Sequence, residues 1–264
     1  MPKINYRELL LKKNKEPITC LTAYSKPLAN ILDSRVDLIL IGDSLGTTLY
    51  GMKNTRNVTL EMMKNHGKAV VKNTKNSMTI VDMPYNTYRS KKEALKNSLE
   101  ILEYTKADFI KIETDKNNIE IVKYLSDKKI RVVSHIGVTP QQFSNFNKIK
   151  SVGKNTKEIN DLLELAIQLE DAGSKFIVLE CVSLIASKKI TNKISIPTIG
   201  IGSSKNCDGQ VLVIDDLLNF NSKIKKPKFV KNYTNIENSI LTAVNKFINE
   251  VKNKKFPSSK NSYK

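Results

Sequence analysis

The 264-residue sequence contains no tryptophan, two histidines and three cysteines. A zinc centre draws on several His or Cys ligands, and His66 and His135 with Cys20, Cys181 and Cys207 offer too few. The cysteines lie far apart with no C-x-x-C spacing, which argues against a disulfide framework and fits a reducing cytoplasm. No apolar run is longer than a strand, the stretch 38–41 being typical, so no membrane span is expected. The first fifteen residues are charged and lack the apolar core of a signal peptide.

What is present is an ordinary globular composition, 40% hydrophobic and 27% charged, with an aliphatic core of Ile, Leu and Val. The net charge of +18 could suggest a polyanion partner. The lysines, however, are scattered along the chain beside many asparagines. They concentrate only in the tail, at Lys252, Lys254, Lys255, Lys260 and Lys264, where Phe256 and Tyr263 are the sole aromatics. Base stacking wants interleaved aromatics, so no nucleic-acid partner is expected.

Short β-branched runs alternate with amphipathic stretches, the pattern of βα units around a parallel sheet. Strands are expected at 18–22, 37–41, 78–81, 109–112, 130–134, 176–179 and 196–200, with a weaker eighth at 228–231. Helical spacing joins Ile159, Leu162, Leu163, Ala166 and Leu169, with Gly173 placed to end that helix in a left-handed conformation. A last helix carries Ile236, Ile240, Leu241, Val244, Phe247, Ile248 and Val251 on one stripe. Eight such units predict an α/β fold, a single-domain (β/α)₈ TIM barrel over 1–264 with a short basic tail from about 252; an open doubly wound sheet is the second choice. The polar stretches 51–59 and 143–156 read as loops over one end of the barrel.

Charged residues interrupt the strands at one end only. Asp43 follows LILIG, Asp82 follows TIV, Glu113 follows FIKI, His135 follows VVS and Glu180 follows FIVL. In a (β/α)₈ barrel the carboxyl ends of the strands converge on the active-site face. Each residue alone has a plain structural use: Asp43 before Ser44 could cap a helix, and His135 could be a satisfied core histidine. Five coincidences at the same end predict one shared site.

Three of these carboxylates suit a hard cation such as Mg²⁺, which takes one or two carboxylates and completes its shell with water and substrate oxygens. Such an ion could chelate a 2-oxo acid and stabilise the enolate formed on deprotonation next to the carbonyl. Lys111 lies two residues before Glu113 and so faces the same side of an extended strand. It could pair with a substrate carboxylate or enolate, or act as an amine nucleophile; the adjacent carboxylates favour a charged lysine. Gly200 and Gly202 resemble half of a phosphate-binding turn but lack its full spacing. Cys181 alternates away from Glu180 and is expected in the core, and Cys207 has no histidine neighbour to activate it.

The segments Ile41-Gly-Asp-Ser-Leu-Gly46, Val81-Asp-Met-Pro84, Lys111-Ile-Glu113, His135-Ile-Gly-Val-Thr-Pro-Gln141, Val178-Leu-Glu-Cys-Val182, Ile199-Gly-Ile-Gly202 and Asp208-Gly-Gln210 occur in one order and spacing. Together they resemble the ketopantoate hydroxymethyltransferase family, from about Ile18 to Pro257. The resemblance implies transfer of a one-carbon unit from 5,10-methylenetetrahydrofolate to 3-methyl-2-oxobutanoate, giving 2-dehydropantoate for pantothenate and coenzyme A. It implies Mg²⁺ at Asp43, Asp82 and Glu113, 2-oxo acid contacts from Asp43, Ser44, Asp82 and Lys111, and Glu180 as proton acceptor, with His135 lining the site. It also implies small-molecule substrates and a homodecamer in the cytoplasm. Ser25 stands where the family pattern has aspartate, Asn147-Lys148 where a Gly-Gly pair is usual, Ser204 for a small flexible residue and Asn261 for histidine. These departures bear on the folate-side loops and on assembly, not on the metal or proton-transfer positions.

Two other classes fit part of the pattern. A Mg²⁺-dependent lyase or aldolase acting on pyruvate-like acids would share the metal logic but not need folate. A non-catalytic basic protein would need its charge gathered on one surface.

Overall fold

The computed structural model describes residues 4–144, 150–220, 222–223 and 226–263. The residues cluster into two compact units, Met1–Val213 and Ile214–Lys264. The first holds a closed barrel of eight parallel strands in chain order. They are β1 (Ile18–Thr22), β2 (Leu38–Ile41), β3 (Met78–Asp82), β4 (Phe109–Glu113), β5 (Val132–Gly137), β6 (Phe176–Glu180), β7 (Thr198–Ile201) and β8 (Gly209–Leu212). The helices of this unit are α1 (Tyr6–Lys12), α2 (Lys26–Leu32), α3 (Leu45–Thr48), α4 (Leu60–Val71), α5 (Lys91–Thr105), α6 (Ile119–Asp127), α7 (Thr156–Asp171) and α8 (Leu184–Lys193).

Seven strands fall where the sequence pattern puts them, within two or three residues at either end. The eighth does not. Residues 228–231 form no strand, and the barrel closes through Gly209–Leu212, which pairs with β1 at Ile18↔Gly209 and with β7 at Ile199↔Gly209. This strand carries a weak signal because it is four residues long and starts on a glycine. A Cβ at Gly209 would lie 2.4 Å from the Ile18 carbonyl oxygen, so the close approach of β1 requires glycine there.

Period-two alternation decides what fills the barrel. The inward series is apolar at the amino ends of the strands: Cys20, Leu38, Leu40, Met78, Ile80, Phe109, Val133, Phe176, Val178, Ile199 and Val211 form one buried cluster. Tyr6 of α1 plugs that end, its ring edge-on to Phe109 (5.9 Å) and Phe176 (5.6 Å). The plug is tied down by Lys13, whose Nζ lies 2.8 Å from Asp208, a buried carboxylate that also accepts from the backbone N–H and hydroxyl of Thr198. Toward the carboxyl ends the same inward series turns polar: Asp82 follows Ile80, Lys111 and Glu113 follow Phe109, His135 follows Val133, and Glu180 follows Val178.

Helices cover the outside, and their ends follow local chemistry. Asn5 and Glu8 make a reciprocal capping box on α1, while Ser90 caps α5 and Asn155 caps α7. Gly173 adopts φ +96° just past α7, the left-handed stop expected for it. The loop at 51–59 contains one 3₁₀ turn, Thr55–Asn57, with Thr55 and Val58 buried. Part of the 143–156 loop, including Asn147-Lys148, lies outside the described residues. Cys181 is not in the core: it is half-buried at φ +50°, because the chain turns out of β6 there and alternation stops.

The second unit holds α9 (Ile214–Leu218) and α10 (Ile236–Lys252). No residue of α10 is buried, and its apolar stripe is open, between 40% exposure at Ile248 and 53% at Phe247 over Ile240–Val251. The basic tail folds back on this helix through Phe256, 5.5 Å from the Phe247 ring. Among the described residues no helix is long and apolar enough to cross a membrane.

Candidate active site

Strand register builds the site before any side chain is considered. Asp82 of β3 is the lateral partner of Lys111 on β4, and Glu113 of β4 is the partner of His135 on β5. Glu180 closes β6 opposite Gly137. A Cβ at Gly137, which has φ +99°, would sit 2.4 Å from the Glu180 carbonyl oxygen, so only glycine lets β5 turn away beside Glu180. Asp43 and Ser44 leave β2 through Gly42, where a Cβ would approach Ser44 Oγ to 2.8 Å.

Side-chain contacts then join these positions. Lys111 Nζ lies 3.1 Å from Asp82 Oδ1 and 3.4 Å from His135 Nδ1. His135 Nε2 lies 3.2 Å from Glu180 Oε2, and His135 Nδ1 is 3.9 Å from Glu113. The Asp43 backbone N–H donates to Asp82 Oδ2 at 3.0 Å, holding the two aspartates side by side. Ser44 Oγ shares a 2.8 Å hydrogen bond with the Tyr24 hydroxyl. The structure therefore brings together all seven side chains that the sequence singled out: Asp43, Ser44, Asp82, Lys111, Glu113, His135 and Glu180.

Burial shapes their protonation. It raises the Asp43 carboxyl against the pull of Lys111, and pushes Asp82 up to about 7, with Asp43 adding to the rise. Glu113 is raised well above the ordinary carboxylate range, by burial first and by Asp43 second. Burial alone would lower the Lys111 ammonium, but Asp82, Asp43 and Glu113 outweigh it and the net direction is upward. Lys111 is thus a firmly held cation, not an amine nucleophile. His135 is lowered by burial and by Lys111, which keeps the imidazole neutral. Its Nε2 is buried and makes no hydrogen bond, although Glu180 Oε2 lies 3.2 Å away. Glu180 itself is not sealed: 17% of its side chain is accessible, so it faces the mouth of the barrel.

Four carboxylates and one ammonium in this cluster leave room for more positive charge. Asp82 Oδ1 is buried without a hydrogen bond, its contact with Lys111 being an ion pair off the hydrogen-bonding direction. Among the described residues no three His, Cys, Asp or Glu side chains converge closely enough to hold a metal ion together. The two adjacent aspartates, with Asp82 Oδ1 unpartnered, are a donor set compatible with Mg²⁺, which takes one or two carboxylates and fills the rest of its sphere with water and substrate oxygens.

Gln141 was not singled out by sequence reasoning. It sits on a 3₁₀ turn, Pro140–Gln142, directly after β5, and is 2% exposed. Its side-chain amide donates to Asp43 Oδ2 (2.8 Å) and to the Met83 carbonyl (3.0 Å), accepts from the Tyr88 hydroxyl, and its backbone N–H donates to Glu113. The available signal was its place at the end of the His135–Gln141 segment, beyond a proline that forces a turn. The residues at which the sequence departs from the family pattern are placed as follows: Ser25 stands at the N-cap of α2 without a side-chain cap bond, and Ser204 is buried, its Oγ accepting from the Asn206 N–H. Asn261 lies on an exposed 3₁₀ turn, Ser259–Asn261.

The barrel alone is shared widely. A solved phosphonomutase-like protein from Burkholderia cenocepacia superposes with TM-score 0.63 at 10% identity, covering 79% of this chain and 91% of its own. A 2,3-dimethylmalate lyase of the PEP mutase/isocitrate lyase superfamily reaches 0.57 at 12% identity, covering 79% and 81%. These likenesses establish the fold only. Sequence comparison reaches further. A 3-methyl-2-oxobutanoate hydroxymethyltransferase from Pelagibacter ubique is 51% identical, covering 96% of each chain. Its counterpart from Helicobacter pylori is 42% identical over 99% of this chain and 96% of its own, and that from Anaplasma marginale 41% over 98% and 93%. The ketopantoate hydroxymethyltransferase pattern matches residues 3–259. With relatives of that name matching nearly end to end, and lyases sharing only the barrel, the chain belongs to the ketopantoate hydroxymethyltransferase family.

Proposed function

We propose that the protein transfers a one-carbon unit from 5,10-methylenetetrahydrofolate to C3 of 3-methyl-2-oxobutanoate, yielding 2-dehydropantoate and tetrahydrofolate, as a step toward pantothenate. The carrying observation is the pair of linked arrays across one barrel mouth, Asp82–Lys111–His135–Glu180 and Asp43–Gln141–Glu113. Asp43 and Asp82 would hold Mg²⁺, with Glu113 a third ligand or a partner through water. Bound there, the ion would polarise the carbonyl of the 2-oxo acid as a Lewis acid. Lys111 and Ser44 orient the polar end of the acid. Glu180 takes the C3 proton, with the buried His135 ring packed beside it. The electron pair left on C3 forms the new bond to the one-carbon unit and water supplies its hydroxyl; these two bonds replace the two C–N bonds to the folate, whose nitrogens take up the C3 proton and one proton of the water.

The open apolar stripe of α10 supports a homo-oligomer, a decamer by resemblance, in which a second copy covers that stripe. The cytoplasm is the proposed site of action. The lyase reading is not favoured, since the relatives at 41–51% identity are all hydroxymethyltransferases.

The direct test is product analysis with 3-methyl-2-oxobutanoate, methylenetetrahydrofolate and Mg²⁺. The product 2-dehydropantoate should form in their presence and vanish with excess chelator. Turnover with free aldehyde and no folate would overturn the assignment in favour of an aldolase.

A further inference from the structure

Gln141 touches two members of the carboxylate cluster, Asp43 by its side chain and Glu113 by its main chain. Both N–H bonds of its amide are used, one on Asp43 Oδ2 and one on the Met83 carbonyl, while its oxygen accepts from Tyr88. This fixes the orientation. Rotating the amide by half a turn would set its oxygen against a carboxylate and a carbonyl, both acceptors, and lose all three bonds. The Tyr88 hydroxyl locks the oxygen end, so Tyr88, Gln141 and Asp43 form a directional chain running into the cluster, within side chains that are all nearly sealed from water.

The consequence falls on Asp43. With Oδ2 held by a neutral donor, the Asp43 carboxylate is fixed in one orientation toward its neighbours. The Gln141 backbone N–H meanwhile faces both oxygens of Glu113, at 3.1 and 3.2 Å, and draws that carboxylate toward the turn. A single residue therefore sets two of the three acidic groups, one by side chain and one by main chain.

We propose that Gln141, locked by Tyr88, is a positioning residue for the divalent cation, fixing the orientation in which Asp43 meets it. The inference rests on the reading that Asp43 and Asp82 hold Mg²⁺. Outer partners of this kind typically change metal affinity about 10- to 100-fold when removed.

The test uses Mn²⁺ alone as a spectroscopic stand-in, with free ion measured by EPR in wild type, Gln141→Ala, Tyr88→Phe and Asp82→Asn. Gln141→Ala keeps the main-chain contact to Glu113, so it isolates the side chain. Its Mn²⁺ affinity should fall about 10-fold or more, and Tyr88→Phe should shift it in the same direction by less. In turnover, the apparent Mg²⁺ constant should rise while excess Mg²⁺ restores most of kcat. Unchanged Mn²⁺ affinity in folded Gln141→Ala, even with a lower Tm, would make the residue merely structural and overturn the proposal. So would a fall in kcat that Mg²⁺ does not restore. If Gln141→Ala does not fold, Tyr88→Phe decides, with wild-type affinity counting against. A wild type lacking any Mn²⁺ site that Asp82→Asn removes would instead defeat the magnesium reading itself, a result distinct from equal affinities.

Discussion

Glu180 Oε2 lies 3.2 Å from Nε2 of His135, and the two groups come from adjacent strands at the same end of the barrel. The carboxylate is partly accessible and lies against the His135 ring, an arrangement compatible with the base role proposed for it. Glu180→Gln should therefore retain Mg²⁺ and 2-oxo acid binding yet lose exchange of the C3 proton for deuterium, by ~10²-fold or more. Exchange needs no folate and is read by NMR in heavy water. A variant exchanging at the wild-type rate would assign the base elsewhere.

Asp82 and Lys111 are a buried pair on register partners, so changing one strands the other. Lys111→Met should leave Asp82 without its cation and raise KM for the 2-oxo acid. Asp82→Ala should lose turnover together with metal and acid binding. Calorimetric titration of the acid in the presence of Mg²⁺ separates the two, and normal binding by Asp82→Ala would contradict its placement in the site.

At the opposite end, Lys13 and Asp208 are both nearly sealed, with side chains 8% and 2% accessible. Removing one member of a buried pair costs about 3–5 kcal/mol. Lys13→Met should fall at the lower end, about 3 kcal/mol, because Asp208 keeps the donors of Thr198 and Asn14. Urea unfolding gives the value, and a change under about 1 kcal/mol would mean that the α1 plug does not depend on the pair.

Asp33, at the C-terminus of α2, accepts from the backbone N–H groups of Lys75, Asn76 and Ser77 and from the Asn76 side chain. Burial pushes its carboxyl upward, but these donors outweigh it and hold the carboxyl below its ordinary value. A depressed folded pKa stabilises above the unfolded value, about 3.9, and that stability is lost as pH falls through the folded one. Asp33→Ala should thus cost roughly 1–2 kcal/mol at pH 7, from lost charge-assisted bonds at a partly open site. The gap from wild type should narrow below about pH 4. A gap independent of pH in thermal unfolding would show that charge plays no part.

The stripe of α10 predicts its own outcome. Leu241→Asp with Phe247→Asp should yield a smaller particle in sedimentation velocity, if a second copy covers that face. An unchanged sedimentation coefficient would place the subunit contacts elsewhere.

The alternation of apolar and polar residues was enough to determine seven strands, the barrel class and the side of each strand that faces inward. A strand has period two, so a charged residue continuing the inward series is visible without coordinates. That is why Asp43, Asp82, Glu113, His135 and Glu180 could be read as one set, with Lys111 joined to it by its spacing from Glu113. Tertiary structure decided what depends on partners distant in sequence. The eighth strand at Gly209–Leu212 is too short to signal by itself and exists because β1 and β7 offer it hydrogen bonds on both sides. The outward turn at Cys181 ends the alternation that placed it in the core. Gln141 carries no charge and lies on a turn without periodicity. Its importance comes only from closure of the barrel, which carries Asp43, Met83, Tyr88 and Glu113 within reach of one amide group.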